Sequence, residues 1–181
     1  RGRLSLTMLS EAMDGSVRTL GMLFFIFVAA TGFAYVFRII GGEHFIIDLA
    51  SSLDMGDWGI LIMLMLLIFA LGFFFDWIEI TLIMLPIVAP ILALMDFGDH
   101  VAKADLGYWF AVLMAVNLQT SFLTPPFGFA LFYLKGAAGN PVSMGQVYRG
   151  IIPFVMLQVG VLALLIWQPW IVLWLPNTVL K

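Results

Sequence analysis

No cysteine occurs in the chain, which excludes disulfides and thiolate metal sites and removes any inference about redox compartment. Charge is scarce as well: Asp, Glu, Lys and Arg make up 10% of the 181 residues, where a soluble domain averages roughly 25%. Lys and Arg together number 8, lie scattered and leave a formal net charge of −3, a pattern that argues against nucleic acid as a partner. Histidine is limited to His44 and His100, both in polar stretches where solvated surface histidines are expected. No Gly-rich phosphate loop of the Walker type is present, and Ser121 has no histidine or lysine in its own segment to activate it as a nucleophile. Asp76 and Glu79 form a helical i, i+3 pair, but no second cluster of metal ligands accompanies them. A membrane-embedded hydrolase built on that pair is the weaker reading, and a purely structural subunit with kinked helices is a third. No catalytic residue and no organic cofactor is expected.

What the chain has is apolar surface. Hydrophobic residues make up 63% of it and the mean hydropathy is +1.10, more than a soluble domain of this size could cover, so an all-α integral membrane protein is expected. The chain opens Arg1-Gly-Arg3 without an initiator Met, and residues 1–18 are too polar for the apolar core of a signal peptide. We expect a fragment of a longer chain, with 1–18 an interfacial or linker segment and 19–181 a membrane domain. Residues 19–37 are uncharged between Arg18 and Arg38, enough for one bilayer crossing, and Gly41-Gly42 should end that helix. Residues 44–57 have helical apolar spacing over a run too short to span, which predicts an interfacial or short re-entrant helix.

From 59 to 95 the apolar run is too long for one span and is interrupted by Gly72-Phe-Phe-Phe-Asp76-Trp-Ile-Glu79. Either two helices meet at an exposed turn, with Asp76 and Glu79 solvated, or a re-entrant hairpin carries residues 72–77 as a buried tip. Pro86 and Pro90 imply a bent second arm. Residues 96–105 hold Asp96, Asp99, His100, Lys103 and Asp105 and read as a loop in water. Residues 140–149 are again polar, and 151–176, uncharged and tryptophan-rich at one end, read as the last span.

The remaining segment, 107–134, is uncharged but carries Asn117-Leu-Gln-Thr-Ser-Phe-Leu-Thr-Pro-Pro-Phe-Gly128 at its centre. Pro125 and Pro126 lack a backbone N–H and each disfavours the α conformation of the residue before it, so the helix should stop at Thr124. Broken backbone at membrane depth is tolerated only when buried in protein or lining a wet cavity, as in the sites of secondary transporters. The alternative is a proline kink whose freed groups are taken up by Ser121, Thr124 or a neighbouring helix. Oxygens freed at Gly72 and along 121–128 are hard ligands suited to a cation such as Na⁺, and helix N-termini at the same breaks offer N–H groups to an anion.

At Thr124-Pro-Pro-Phe-Gly128 the chain resembles the C-terminal half of the large membrane subunit of tripartite ATP-independent periplasmic (TRAP) transporters. Further marks are Leu71-Gly-Phe-Phe-Phe-Asp76-Trp, Leu85-Pro-Ile-Val-Ala-Pro90, Asn117 to Tyr133, Tyr148-Arg-Gly-Ile-Ile-Pro-Phe154 and Trp174-Leu-Pro176, so the similarity covers nearly the whole chain. The resemblance implies one half of an inverted-repeat, elevator-type, Na⁺-driven importer of organic acids, multi-pass in the bacterial inner membrane. It implies as partners the N-terminal half of the same subunit, a small four-helix membrane subunit and a soluble periplasmic solute-binding protein. One Na⁺ site of this half falls on Gly72, Ser121, Thr124 and Phe127, where many members have glycine in place of Ser121. Candidates for the substrate cavity are Asp76, Asn117, Thr120, Pro125, Pro126 and Gly128. The Gln-Thr-Ser-Phe-Leu variant resembles the branch associated with keto acids, mannitol or aromatic acids.

Overall fold

The computed structural model describes residues 5–52, 55–124, 131 and 143–179. The described elements are all helical: α1 (Leu6–Ile39), α2 (Gly42–Ser52), α3 (Gly56–Leu71), α4 (Trp77–Leu94), α5 (Leu106–Leu123), α6 (Met144–Trp167) and α7 (Trp170–Val179). Four of them, α1, α4, α5 and α6, are long and apolar enough to cross a membrane, and the chain is a multi-pass helical membrane protein.

The expected boundary at Arg18 is absent. Ser5 caps α1 by accepting the Met8 N–H at 3.1 Å, and from there to Arg38 no proline intervenes, so residues 6–18 and the span 19–37 are joined in one helix of 34 residues. At 1.5 Å per residue that is roughly 51 Å, well beyond the ~30 Å hydrocarbon core. Gly41, at φ +79, turns the chain out of α1 and into α2, a left-handed conformation that glycine adopts without steric cost.

α3 and α4 form the helical hairpin, linked by residues 72–76. The Asp76 carboxylate caps α4 by accepting the Trp77 N–H at 2.7 Å, and Pro86 and Pro90 both lie inside α4. α6 starts earlier than its apolar run because Ser143 and Gln146 make a capping box, so residues 144–149 are helical, and all but Val147 stay exposed or half-exposed. The expected last span over 151–176 is also not continuous. It breaks at Gln168 (φ −123, ψ 75), since Pro169 can neither donate to the helix nor follow a helical residue comfortably.

α5 is the hub, packing on α3, α6 and α7, while α4 packs chiefly on α1 and α2. Leu61, Leu64 and Ile68 of α3, Trp109 and Leu113 of α5, and Ile80, Met84, Val88 and Ile91 of α4 share one buried core with Met95, Phe97 and Val101 after α4. The loop at 96–105 is therefore partly inside, although its acidic side chains were expected to hold all of it in water. The apolar surface of α1 and α6 faces outward, as it does where hydrocarbon is the solvent.

Candidate functional site: the meeting of two helix ends

α3 ends at Gly72 and α5 ends at Thr124, and the two ends lie against each other. A Cβ built on Gly72 would overlap the Ser121 hydroxyl and lie 2.7 Å from Ser121 Cβ. Gly72 has ordinary right-handed angles (φ −63, ψ −9), so the close approach, not the backbone conformation, is what requires glycine there. Thr124 is extended (φ −94, ψ 132), the conformation that Pro125 imposes on its predecessor. Its N–H turns back to the Ser121 carbonyl at 3.0 Å, the carbonyl to which Pro125 offers no donor.

The hydroxyls on this last turn share one arrangement. Thr120 Oγ1 donates to the Val116 carbonyl at 2.7 Å, Ser121 Oγ to Leu118 at 2.8 Å and Thr124 Oγ1 to Thr120 at 2.7 Å. With each hydrogen committed to the preceding turn, the oxygen lone pairs are what remains for a ligand. Both helices present their C-terminal, partially negative ends at this junction. Hydroxyl oxygens beside two such ends favour a cation and disfavour an anion.

Of the residues singled out in the sequence, Gly72, Ser121 and Thr124 are brought together here, with Thr120 buried one residue before Ser121. Phe127, Pro125, Pro126 and Gly128 lie outside the described residues. Asn117 is buried, and its Nδ2 donates to the Met65 carbonyl at 2.7 Å, tying α5 to α3 two turns below the junction. Asp76 is half-buried and committed as the α4 cap. The tip 72–77 is not buried as a unit, since Phe74 is 63% and Trp77 56% exposed while Gly72 alone is enclosed.

A groove of about 1020 Å³ runs between α4 and α5, with Trp77, Thr81, Gln119 and Phe122 toward the junction and Lys103 at the opposite end. Asp76, Asn117 and Thr120 do not line it. Its walls are apolar over most of their length, so it is not the polar junction itself.

Two contacts escaped the sequence reading. Trp109 Nε1 donates to the Leu165 carbonyl at 2.9 Å, and His100 Nε2 lies 2.8 Å from the Ile166 carbonyl. His100 is thus half-buried and engaged rather than solvated, as expected for a polar stretch. The signal that could have pointed to both contacts is Pro169, which leaves carbonyls of the preceding turn in need of donors.

The chain matches the family described as tripartite ATP-independent periplasmic transporter, DctM component, over residues 1–171. It is 30% identical over 156 residues to the C4-dicarboxylate TRAP transporter large permease protein DctM of Pseudomonas aeruginosa, covering 86% of this chain and 34% of that protein. It is 33% identical over 118 residues to the sialic acid TRAP transporter permease protein SiaT of Haemophilus influenzae, covering 65% of this chain and 18% of that protein. With the ectoine/5-hydroxyectoine TRAP transporter large permease protein UehC of Ruegeria pomeroyi it shares 24% over 154 residues, 85% of this chain and 34% of the relative. The chain therefore spans about a third or less of the length of these relatives. No solved structure matches it.

Proposed function

The chain belongs to the DctM component family of tripartite ATP-independent periplasmic transporters, and from that premise we propose that it forms the C-terminal half of a large permease subunit that imports an organic acid by Na⁺ symport. The observation that carries the coupling ion is the contact of Gly72 with Ser121, which sets the C-terminal ends of α3 and α5 side by side. Na⁺ sits at that junction, held by oxygens of Gly72, Ser121 and Thr124, with Phe127 a further ligand on the family resemblance alone. Partial charge from two helix ends and hard oxygen donors are the chemistry that such a site needs.

The substrate is a carboxylate, the chemical class that dicarboxylate and sialic acid permeases share by name. It binds beside the ion, with Asp76 and Thr120 at the margin of its cavity; Pro125, Pro126 and Gly128 are further candidates on the family resemblance alone. Asn117 acts as a tie between α5 and α3 rather than as a substrate contact. The working machine contains the N-terminal half of the same subunit, a small four-helix membrane subunit and a periplasmic solute-binding protein, in the bacterial inner membrane.

The test uses the complete permease with its binding protein in proteoliposomes, loaded with candidate acids. Uptake should require an inward Na⁺ gradient and stop when Na⁺ is replaced by K⁺. Uptake that proceeds equally in K⁺ overturns the Na⁺ assignment while leaving the family and the fold standing.

A further inference from the structure

The groove between α4 and α5 is left open by the smallness of its walls. Ala89 and Ala93 line it from α4, and Gly107, Ala111 and Ala115 from α5; a Cβ built on Gly107 would meet nothing within 4 Å. Small residues in membrane helices are what lets a neighbouring backbone come close, but α4 packs chiefly on α1 and α2 and its small residues are not covered by α5. One end of the groove is at Lys103, an exposed cation in the charged loop before α5, which sets that end at the water boundary. Gln119, near the other end, is roughly 20 Å along the helix axis from Leu106, well inside a hydrocarbon core of about 30 Å.

At that depth Gln119 is out of place on a lipid-facing surface. Between Ile151 and Trp167 the exposed side chains of α6 are all apolar. Hydroxyls that look outward or into the groove are satisfied by their own helix, Thr31 Oγ1 donating to the Phe27 carbonyl at 2.8 Å and Thr81 Oγ1 to Trp77 at 2.7 Å. Gln119 is exposed, and its amide has no hydrogen-bond partner among the described residues. A carboxamide carries two donors and an acceptor, none of which hydrocarbon can meet, and polar side chains within a membrane face the protein interior or a wet cavity. The facing wall adds a second group of this kind. Pro90 brings no N–H to the Pro86 carbonyl, which lies over the turn that carries Ala89, and neighbouring helices are one source of partners for backbone freed by proline in a membrane.

We propose that this groove is the seat of a transmembrane helix from the part of the permease outside this chain. The helix it fits is apolar, packs closely on the alanines and on Gly107, and presents a hydrogen-bonding side chain to the Gln119 amide. A lipid chain would fill the apolar length and leave the amide unmet. Water would meet the amide but not wet a cleft whose other walls are apolar. Chain to supply the helix exists, since the 181 residues span about a third or less of the length of the relatives described above. The proposal rests on the chain being part of a larger permease and not on the Na⁺ assignment, so Na⁺-independent uptake would leave it standing.

The experiment uses the complete permease subunit in lipid nanodiscs. Gln119→Leu keeps the size of the side chain and removes the amide. Where a helix answers that amide, the variant should unfold at a lower temperature than the wild type; on a lipid-facing surface the unfolding temperature should hold or rise, and that result overturns the proposal. The occupant is read by placing the photoreactive residue p-benzoylphenylalanine at position 115 and mapping its adducts by peptide mass spectrometry. A cross-link within the subunit to a peptide outside these residues supports the seat. Adducts with phospholipid alone, or with a second copy of the subunit, overturn it. Should the photoreactive residue prevent insertion, Ala111→Leu decides: narrowing the groove lowers the unfolding temperature if a helix occupies it, and an unchanged temperature means that lipid or water does.

Discussion

Gly72 and Ser121 occupy space that neither could share with a larger neighbour. Gly72→Ala would drive a methyl group into the Ser121 hydroxyl, and overpacking of this kind costs on the order of 1–3 kcal/mol. Ser121→Gly made in the same chain removes the obstacle and should restore most of the loss, so the two changes are coupled rather than additive. Thermal unfolding of the purified subunit, read for both single variants and the pair, checks this; equal and additive effects would mean that the two residues do not touch. The same contact shows what was legible at this scale. Gly72, Ser121 and Thr124 were expected together on the family resemblance, with the stop at Thr124 readable from proline acting on the backbone, and the structure adds the close packing behind it. The tie made by Asn117 was not legible because its partner is a main-chain carbonyl 52 residues away, and polarity alone does not distinguish a tie between helices from a ligand. His100 was misread for the same reason, its acceptor lying 66 residues off.

Helix ends were readable where the sequence carries a breaker with one local consequence. Gly41 turning out of α1 and Thr124 stopping before the double proline are such cases. The break at Gln168–Pro169 carries the same signal, yet an uncharged run through it resembles an ordinary span. Charge misled in the other direction at α1, where the polar residues before Arg18 look like a separate segment but contain nothing that interrupts a helix. A helix of this length must leave the hydrocarbon core, with roughly 20 Å to spare. Single cysteines placed along it should therefore divide: Leu9→Cys and Met13→Cys label from water with a membrane-impermeant maleimide, whereas Phe25→Cys and Phe33→Cys do not, although all four positions are exposed in the isolated chain. Efficient labelling at Phe25 and Phe33 would place α1 outside the bilayer and contradict the topology.

For the molecule as a whole, the central claim is that two helix ends and the oxygens between them hold the coupling ion. α5 is tied to α3 by Asn117 and to α6 by Trp109, and the loop before it to α6 by His100, so the junction sits on a body whose parts are pinned at several levels. A site on such a framework should lose affinity when one oxygen is deleted without the framework giving way. Thr124→Val is the most direct test, since it keeps the branched shape and removes only the hydroxyl that now donates to Thr120. Deleting one oxygen from a desolvated site costs on the order of 1–3 kcal/mol, which is roughly a 5- to 150-fold rise in the Na⁺ concentration for half-maximal uptake. The measurement is uptake against Na⁺ concentration in proteoliposomes of the complete transporter, wild type and Thr124→Val, with protein amount normalised. A raised Na⁺ midpoint with near-normal protein yield is the result predicted here; an unchanged midpoint accompanied by lowered thermal stability would contradict it and make Thr124 a helix cap alone.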